Sequence, residues 1–201
     1  MKKFLSIIPT LTLALILAAC VDTTGISAES SRTPHPSTDA NASVTVTEYG
    51  DLQCPSCRAA QELIVKPLLA KYGKQISFEF SQFPLQAIHP YAMISAESSE
   101  CAADQGKFWE YIDLVFTNQT SLSPSALNEW ATQLKLDMDL FGRCVKSHIK
   151  RPTIQAEYNA GKELGVAGTP TFFVNGKKVE STLDAISAAI DEAKKGVGSR
   201  L

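Results

Sequence analysis

Cys54 and Cys57, separated by Pro55 and Ser56, stand where the hydropathy pattern changes period. Before them, Val44-Thr45-Val46-Thr47-Glu48-Tyr49 alternates, with β-branched and aromatic residues, as a strand does. Gly50 and Asp51 end that run. After them, Ala59, Leu63, Val65, Leu68 and Leu69 supply the apolar face of a helix expected over 55–72, with Gly73 as its stop. Pro67 is expected to kink it, because proline has no N–H to donate inside a helix. Ile76-Ser77-Phe78-Glu79-Phe80 alternates again. The result is a β-α-β unit with the cysteine pair at its strand-to-helix turn.

The middle of the chain reads as helical. Helices are expected over 90–103 and over 107–116, the second with Phe108, Ile112, Val115 and Phe116 at helical spacing. Ser123-Pro124 starts another, with Ser as N-cap and Pro in the first turn, and it carries Leu127, Trp130, Ala131 and Leu134. Shorter helical stretches follow over 140–147 and 154–164. A strand over 171–174 then turns back at Asn175-Gly176 into 177–179. Leu183, Ile186, Ile190 and Ala193 mark a final amphipathic helix. The expected class is α/β, ordered β-α-β, helical block, β-β-α. One domain is expected over 44–196, with a helical subdomain inserted over about 88–164. Trp109 and Trp130 read as core residues, and His89 and His148 as solvated or partly satisfied surface histidines.

The first nineteen residues read as an export signal. Lys2 and Lys3 precede an apolar run over 4–19 that is shorter than the roughly 20 residues a membrane-spanning helix needs. Leu17-Ala18-Ala19-Cys20 resembles the lipobox of bacterial lipoproteins. That resemblance implies that Cys20 is acylated and holds the chain at a membrane; the alternative is an ordinary signal that contains a cysteine. Residues 20–43 are rich in Ser, Thr, Ala and Asp, include Pro34 and Pro36, and have only Val21 and Ile26 as large apolar residues. They are expected to form a flexible tether, in which His35 has no visible partner. A hydrophobic content of 44% with a net charge of −2 indicates a folded domain without the basic excess of a nucleic-acid binder.

The placement of the pair carries its chemistry. A helix N-terminus offers partial positive charge and free N–H groups, which favour thiolate over thiol at Cys54. The thiolate is the species that attacks a disulfide. Cys57, one turn on, can attack the mixed disulfide and release the substrate. Pro55 suits the first helical turn. The competing reading, half a zinc site, needs four ligands, and only Cys101 and Cys144 remain in the domain, without close ligand partners. No metal and no cofactor are expected.

Three segments carry a resemblance to DsbA-like thiol–disulfide oxidoreductases of thioredoxin fold. They are Tyr49-Gly50-Asp51-Leu52-Gln53-Cys54-Pro55-Ser56-Cys57, the stretch 100–109 from Glu100 and Cys101 to Trp109, and Gly165-Val166-Ala167-Gly168-Thr169-Pro170-Thr171-Phe172-Phe173-Val174-Asn175-Gly176. The likeness runs over about 44–195. It implies that Pro170 is a cis-proline presenting backbone to substrate, and that Thr169 tunes the thiol. It also implies that Glu48 is a buried acid passing protons to and from Cys57; the plainer alternative for Glu48 is an outward strand residue. Ser56 departs from the His found at this position in strongly oxidising relatives, so an intermediate redox potential is expected.

The same resemblance implies cysteine-containing exported proteins as substrates, a membrane redox partner that recycles the pair, and a place in the cell envelope. No nucleic acid is expected as a partner. A monomer is expected, because isomerases of related fold carry an extra dimerisation domain and 20–43 does not read as one. The alternatives are an envelope thiol reductase, a metal-delivery protein of the same fold, and an envelope lipoprotein with an inert disulfide. Five cysteines leave a parity question. With Cys20 acylated and Cys54 paired to Cys57, Cys101 and Cys144 remain for each other, or as two buried free thiols.

Overall fold

The computed structural model of the chain describes residues 21–27, 35–36 and 39–198. The expected signal over 1–19 and the expected lipidation site Cys20 lie outside the described residues. In chain order the elements are β1 (His35–Pro36), β2 (Thr45–Gly50), α1 (Pro55–Ala60), α2 (Lys66–Tyr72) and β3 (Ser77–Gln82). The helical block follows: α3 (Ala92–Ala103), α4 (Phe108–Thr117), α5 (Pro124–Gln133), α6 (Met138–Ser147) and α7 (Arg151–Glu163). Then come β4 (Thr171–Val174), β5 (Lys177–Val179) and α8 (Leu183–Gly198). The fold is the expected α/β one, with helices inserted between β3 and β4.

The sheet runs β1-β3-β2-β4-β5. β2 lies parallel to β3 and antiparallel to β4, so Glu48 stands opposite Phe80 on one side and Phe172 on the other. Strand alternation sorts β2 into two faces. Val44 and Val46 share one buried cluster with Ile64, Val65 and Leu68 of the first helical stretch, and with Ile186 and Ile190 of α8. Glu48 continues that inward row. Tyr49 faces the other way, into a cluster with Phe83, Val166 and Phe173. Gly161 of α7 is what lets that helix seat there: a Cβ would lie 2.9 Å from the rings of Phe83 and Tyr49.

Pro67 acts on its helix in a specific way. Between α1 and α2 the chain makes a π-turn over Gln61–Val65, and the N–H of Lys66 reaches back to the carbonyl of Gln61. Pro67 cannot donate, and its ring would crowd the carbonyl four residues earlier. The wider turn relieves both problems, a recognised origin of helix distortion.

The helical block is held by polar groups as well as by apolar packing. α3 is buried along nearly its whole length, including Ser95, Glu97, Ser98, Ser99 and Glu100. Glu97 accepts from Arg151 at 2.8 Å and pairs with Nδ1 of His148 at 3.0 Å, so His148 is half-exposed yet partnered. A bond of 2.03 Å joins Cys101 of α3 to Cys144 of α6.

The N-terminal stretch departs from the expected tether in two of its three described pieces. His35 and Pro36 pair antiparallel with Phe80 and Glu79 and add an edge to the sheet. His35 stacks on Phe108 with ring centroids 4.0 Å apart, and its Nε2 lies 3.0 Å from Glu100. Over 21–27, Arg143 donates to the carbonyls of Asp22 and Thr24, Lys150 donates to that of Ser27, and Ile26 packs on the core. The fold therefore reaches upstream of Val44. Composition misleads here because the partners sit on β3, α3, α6 and the start of α7, far along the chain, and they grip backbone more than side chains.

Candidate active site

The turn from β2 into α1 is short and tightly bonded. Cys54 is the N-cap of α1, with extended backbone, and Pro55 opens the helix. The N–H of Cys54 donates to the carbonyl of Asp51 at 3.0 Å. Cys54 and Cys57 are both free thiols and both buried, Cys57 completely and Cys54 with 6% of its surface exposed, while Pro55 and Ser56 are exposed.

From far along the chain, the loop before β4, the strand beside β2, brings the third part of the site. The Thr169–Pro170 bond is cis. The carbonyl of Thr169 lies 3.5 Å from Sγ of Cys54. Thr169 Oγ1 is buried without a hydrogen-bond partner among the described residues. Glu48 completes the set: it is buried, and neither carboxyl oxygen has a partner among the described residues. Its position is inward, so the outward alternative falls.

The electrostatics of the two thiols run in opposite directions. The hydrogen bond from Cys57 is the main reason the Cys54 thiol falls to about 5, and Thr169 and the backbone N–H groups of Cys57 and Ser56 act the same way against a burial effect that opposes them. Burial pushes the Cys57 thiol well above the ordinary cysteine range, and the hydrogen bond to Cys54 and the nearby Glu48 add to that rise. Burial also lifts Glu48, to about 8, with the charge of Cys54 contributing. At neutral pH Cys54 is therefore a thiolate, Cys57 a thiol and Glu48 mainly a protonated acid. A nucleophile, a resolving thiol and a proton reservoir meet at one strand-to-helix turn.

Two sets of contacts around this turn carry no sequence signal. Gln119, in the turn after α4, donates from Nε2 to the carbonyls of Leu52 at 2.9 Å and Cys54 at 3.0 Å, tying the helical block to the active-site loop. His89, expected as a solvated or partly satisfied surface residue, is partnered and mostly buried: its ring lies 2.7 Å from the buried carboxylate of Asp51. Neither partner is near in sequence, so spacing could not have paired them. Among the described residues no group of three or more His, Cys, Asp or Glu side chains is arranged to hold a metal ion.

The fold and this site together define a protein of thioredoxin fold that carries the Cys54 and Cys57 thiols at a strand-to-helix turn. The chain belongs to the thioredoxin family, whose family model matches residues 31–192. Among solved structures, it resembles oxidised BdbD from Bacillus subtilis at 21% identity and a TM-score of 0.71, over 79% of this chain and 91% of that one. It resembles alpha-DsbA1 from Wolbachia pipientis at 21% identity and 0.71, over 85% and 96%. MdbA, a thiol-disulfide oxidoreductase from Corynebacterium diphtheriae, aligns at 17% identity and 0.63, over 78% and 85%. At these identities the likeness establishes the fold. Sequence relatives include the Na(+)/H(+) antiporter NhaA 1 of Salinispora arenicola, 39% identical over 161 residues, and NhaA 3 of Salinispora tropica, 40% identical over 154. The chain spans about a quarter of the length of those two proteins, 24% and 23%. No described helix is long and apolar enough to cross a membrane.

Proposed function

We propose that the chain donates the Cys54–Cys57 disulfide to cysteine pairs of exported polypeptides in the cell envelope. In this reading it works as a monomer held at a membrane through acylated Cys20, and a membrane redox partner reoxidises it. What supports the donor direction is the seat of Cys54 at the start of α1, where the Cys57 thiol and the N–H groups of Ser56 and Cys57 lower its pKa. A depressed Cys54 thiol stabilises the reduced pair relative to the disulfide, which makes the disulfide the better oxidant.

The chemistry follows from the site. A substrate thiolate attacks Sγ of Cys54, the Cys54–Cys57 bond breaks, and Cys57 leaves with the electron pair and takes up the proton that Glu48 holds. A second substrate thiolate attacks the substrate sulfur of the mixed disulfide, and Cys54 leaves as a stabilised thiolate. The substrate thiols lose two electrons to the pair and two protons to solvent; the pair ends as a Cys54 thiolate and a Cys57 thiol, and one of the protons returns from solvent to Glu48. Pro170 and the Thr169 carbonyl present backbone beside Cys54 for the incoming chain.

The magnitude is set by comparison. Thioredoxin, with a nucleophile pKa of about 7, sits near −270 mV, and DsbA, at about 3.5, near −120 mV. A Cys54 thiol at about 5 falls between them, as expected for a pair with Ser56 in place of histidine. The expected potential is roughly −200 to −120 mV. Equilibration with glutathione, followed by mass spectrometry of the Cys54/Cys57 peptide, measures it. A value near that of thioredoxin, with a reduced pair in intact cells, assigns the protein as a reductase instead. The match to a quarter of the length of sodium–proton antiporters supports a membrane setting, since it places a segment like this one in proteins that work in a membrane.

A further inference from the structure

Asp51 is completely buried, and its carboxylate takes no part in the exchange steps above. Oδ1 accepts the N–H of Gln53 at 2.8 Å; Oδ2 accepts the N–H of Leu85 at 2.8 Å and meets Nδ1 of His89 at 2.7 Å. A carboxylate only accepts, so Nδ1 of His89 is the donor. The backbone of the same residue touches both cysteines. Its N–H lies 3.4 Å from Sγ of Cys57, and its carbonyl receives the N–H of Cys54 at 3.0 Å. A side chain gripped by three donors thus carries the two backbone groups that fix the redox pair.

We infer that Asp51 and His89 form a positioning pair that holds the Asp51 amide on the sulfur of Cys57, the group that leaves when the Cys54–Cys57 disulfide opens. The inference rests on the exchange reading and adds a residue to it. In the opening step an external thiolate bonds to Cys54 Sγ, the Cys54–Cys57 bond breaks, and the electron pair goes to Cys57. The amide then faces a developing negative charge, and hydrogen bonds to charged acceptors are stronger than those to neutral ones. The contact is therefore worth more in the transition state than in the closed disulfide, which is the condition for accelerating a step. His89 touches neither sulfur; it acts through the carboxylate that keeps this amide in place.

The test compares His89→Ala with His89→Asn, whose Nδ2 can reach the place of the lost Nδ1. Opening of the oxidised pair by dithiothreitol is followed by stopped flow, beside thermal melting and the alkylation rate of reduced Cys54. His89→Ala is expected to open about three- to tenfold more slowly, the size of one hydrogen bond. His89→Asn is expected to stay within about twofold of wild type. Alkylation of Cys54 is expected to change little, because its thiolate is held by other donors. Opening at the wild-type rate in His89→Ala overturns the inference even if the variant melts lower, since the pair then only braces the loop. Slow opening that Asn fails to restore also overturns it. Should His89→Ala not fold, NMR of the wild-type protein decides: the Asp51 amide proton and the His89 ring nitrogens must both shift between oxidised and reduced forms, and a stationary His89 overturns the inference. A wild-type pair that no thiol opens is a separate result, and it removes the exchange reading itself.

Discussion

Cys54→Ser is expected to abolish thiol exchange, and Cys57→Ser to trap mixed disulfides with substrate. The asymmetry follows from the geometry. Cys54 is the cysteine of the pair that keeps some exposure, lies beside the Thr169 carbonyl, and is the thiolate of the pair. Replacing its sulfur removes the nucleophile that bonds to a substrate sulfur, so activity should drop by at least about a thousandfold, the scale at which removing a covalent nucleophile is felt. Cys57 is fully buried and cannot meet a substrate directly. Its loss leaves attack intact and removes the internal thiol that resolves the intermediate. Non-reducing gels of cells carrying each variant read the outcome. Trapped complexes with Cys54→Ser and none with Cys57→Ser would reverse the two roles.

The second large effect concerns stability. Replacing Cys101 and Cys144 together by Ala is expected to cost about 2–4 kcal/mol, from a bridge that closes 43 residues. The bridge joins α3, buried nearly throughout, to α6, so its loss also loosens the polar helix that Glu97 and Glu100 anchor. Urea unfolding of wild type and double variant measures the difference, and peptide mapping of oxidised wild type should find the two cysteines linked. Two thiols open to alkylation under oxidising conditions would contradict the pairing.

The parts of the fold legible in the sequence are those written locally. The alternation of 44–49, the glycine stop at Gly73, the Ser123 cap and the Asn175-Gly176 turn each state their element within a few residues. The inward position of Glu48 follows from the same alternation, since it continues the row of Val44 and Val46. The cysteine pair is legible because a helix N-terminus, a nucleophile and a resolving thiol fall within four residues.

What stayed hidden depends on partners far along the chain. The β1 edge exists because β3 offers unpaired backbone and Glu100 waits beside it, and neither fact can be read from 35–36. α3 is buried on all sides, so its serines and glutamates give no amphipathic stripe. Gln119 and His89 reach the active-site turn from 65 and 38 residues away. The π-turn before Pro67 shows the opposite limit: the proline announced a distortion, while its form was set by which carbonyls were free to move.

The turn at Cys54 holds a stabilised thiolate beside a thiol kept neutral by burial. The pH dependence of alkylation of the reduced protein tests it most directly, with the thiolate absorbance followed in parallel. Two ionisations are expected, one cysteine titrating near pH 5 and the other far above neutrality, with the first assigned by mass spectrometry to Cys54. The reduced form then gains thiolate stabilisation as pH rises through the lower value and loses it as pH falls below. A Cys54 that titrates near 8.5, like a free cysteine, rules out a stabilised thiolate at this turn.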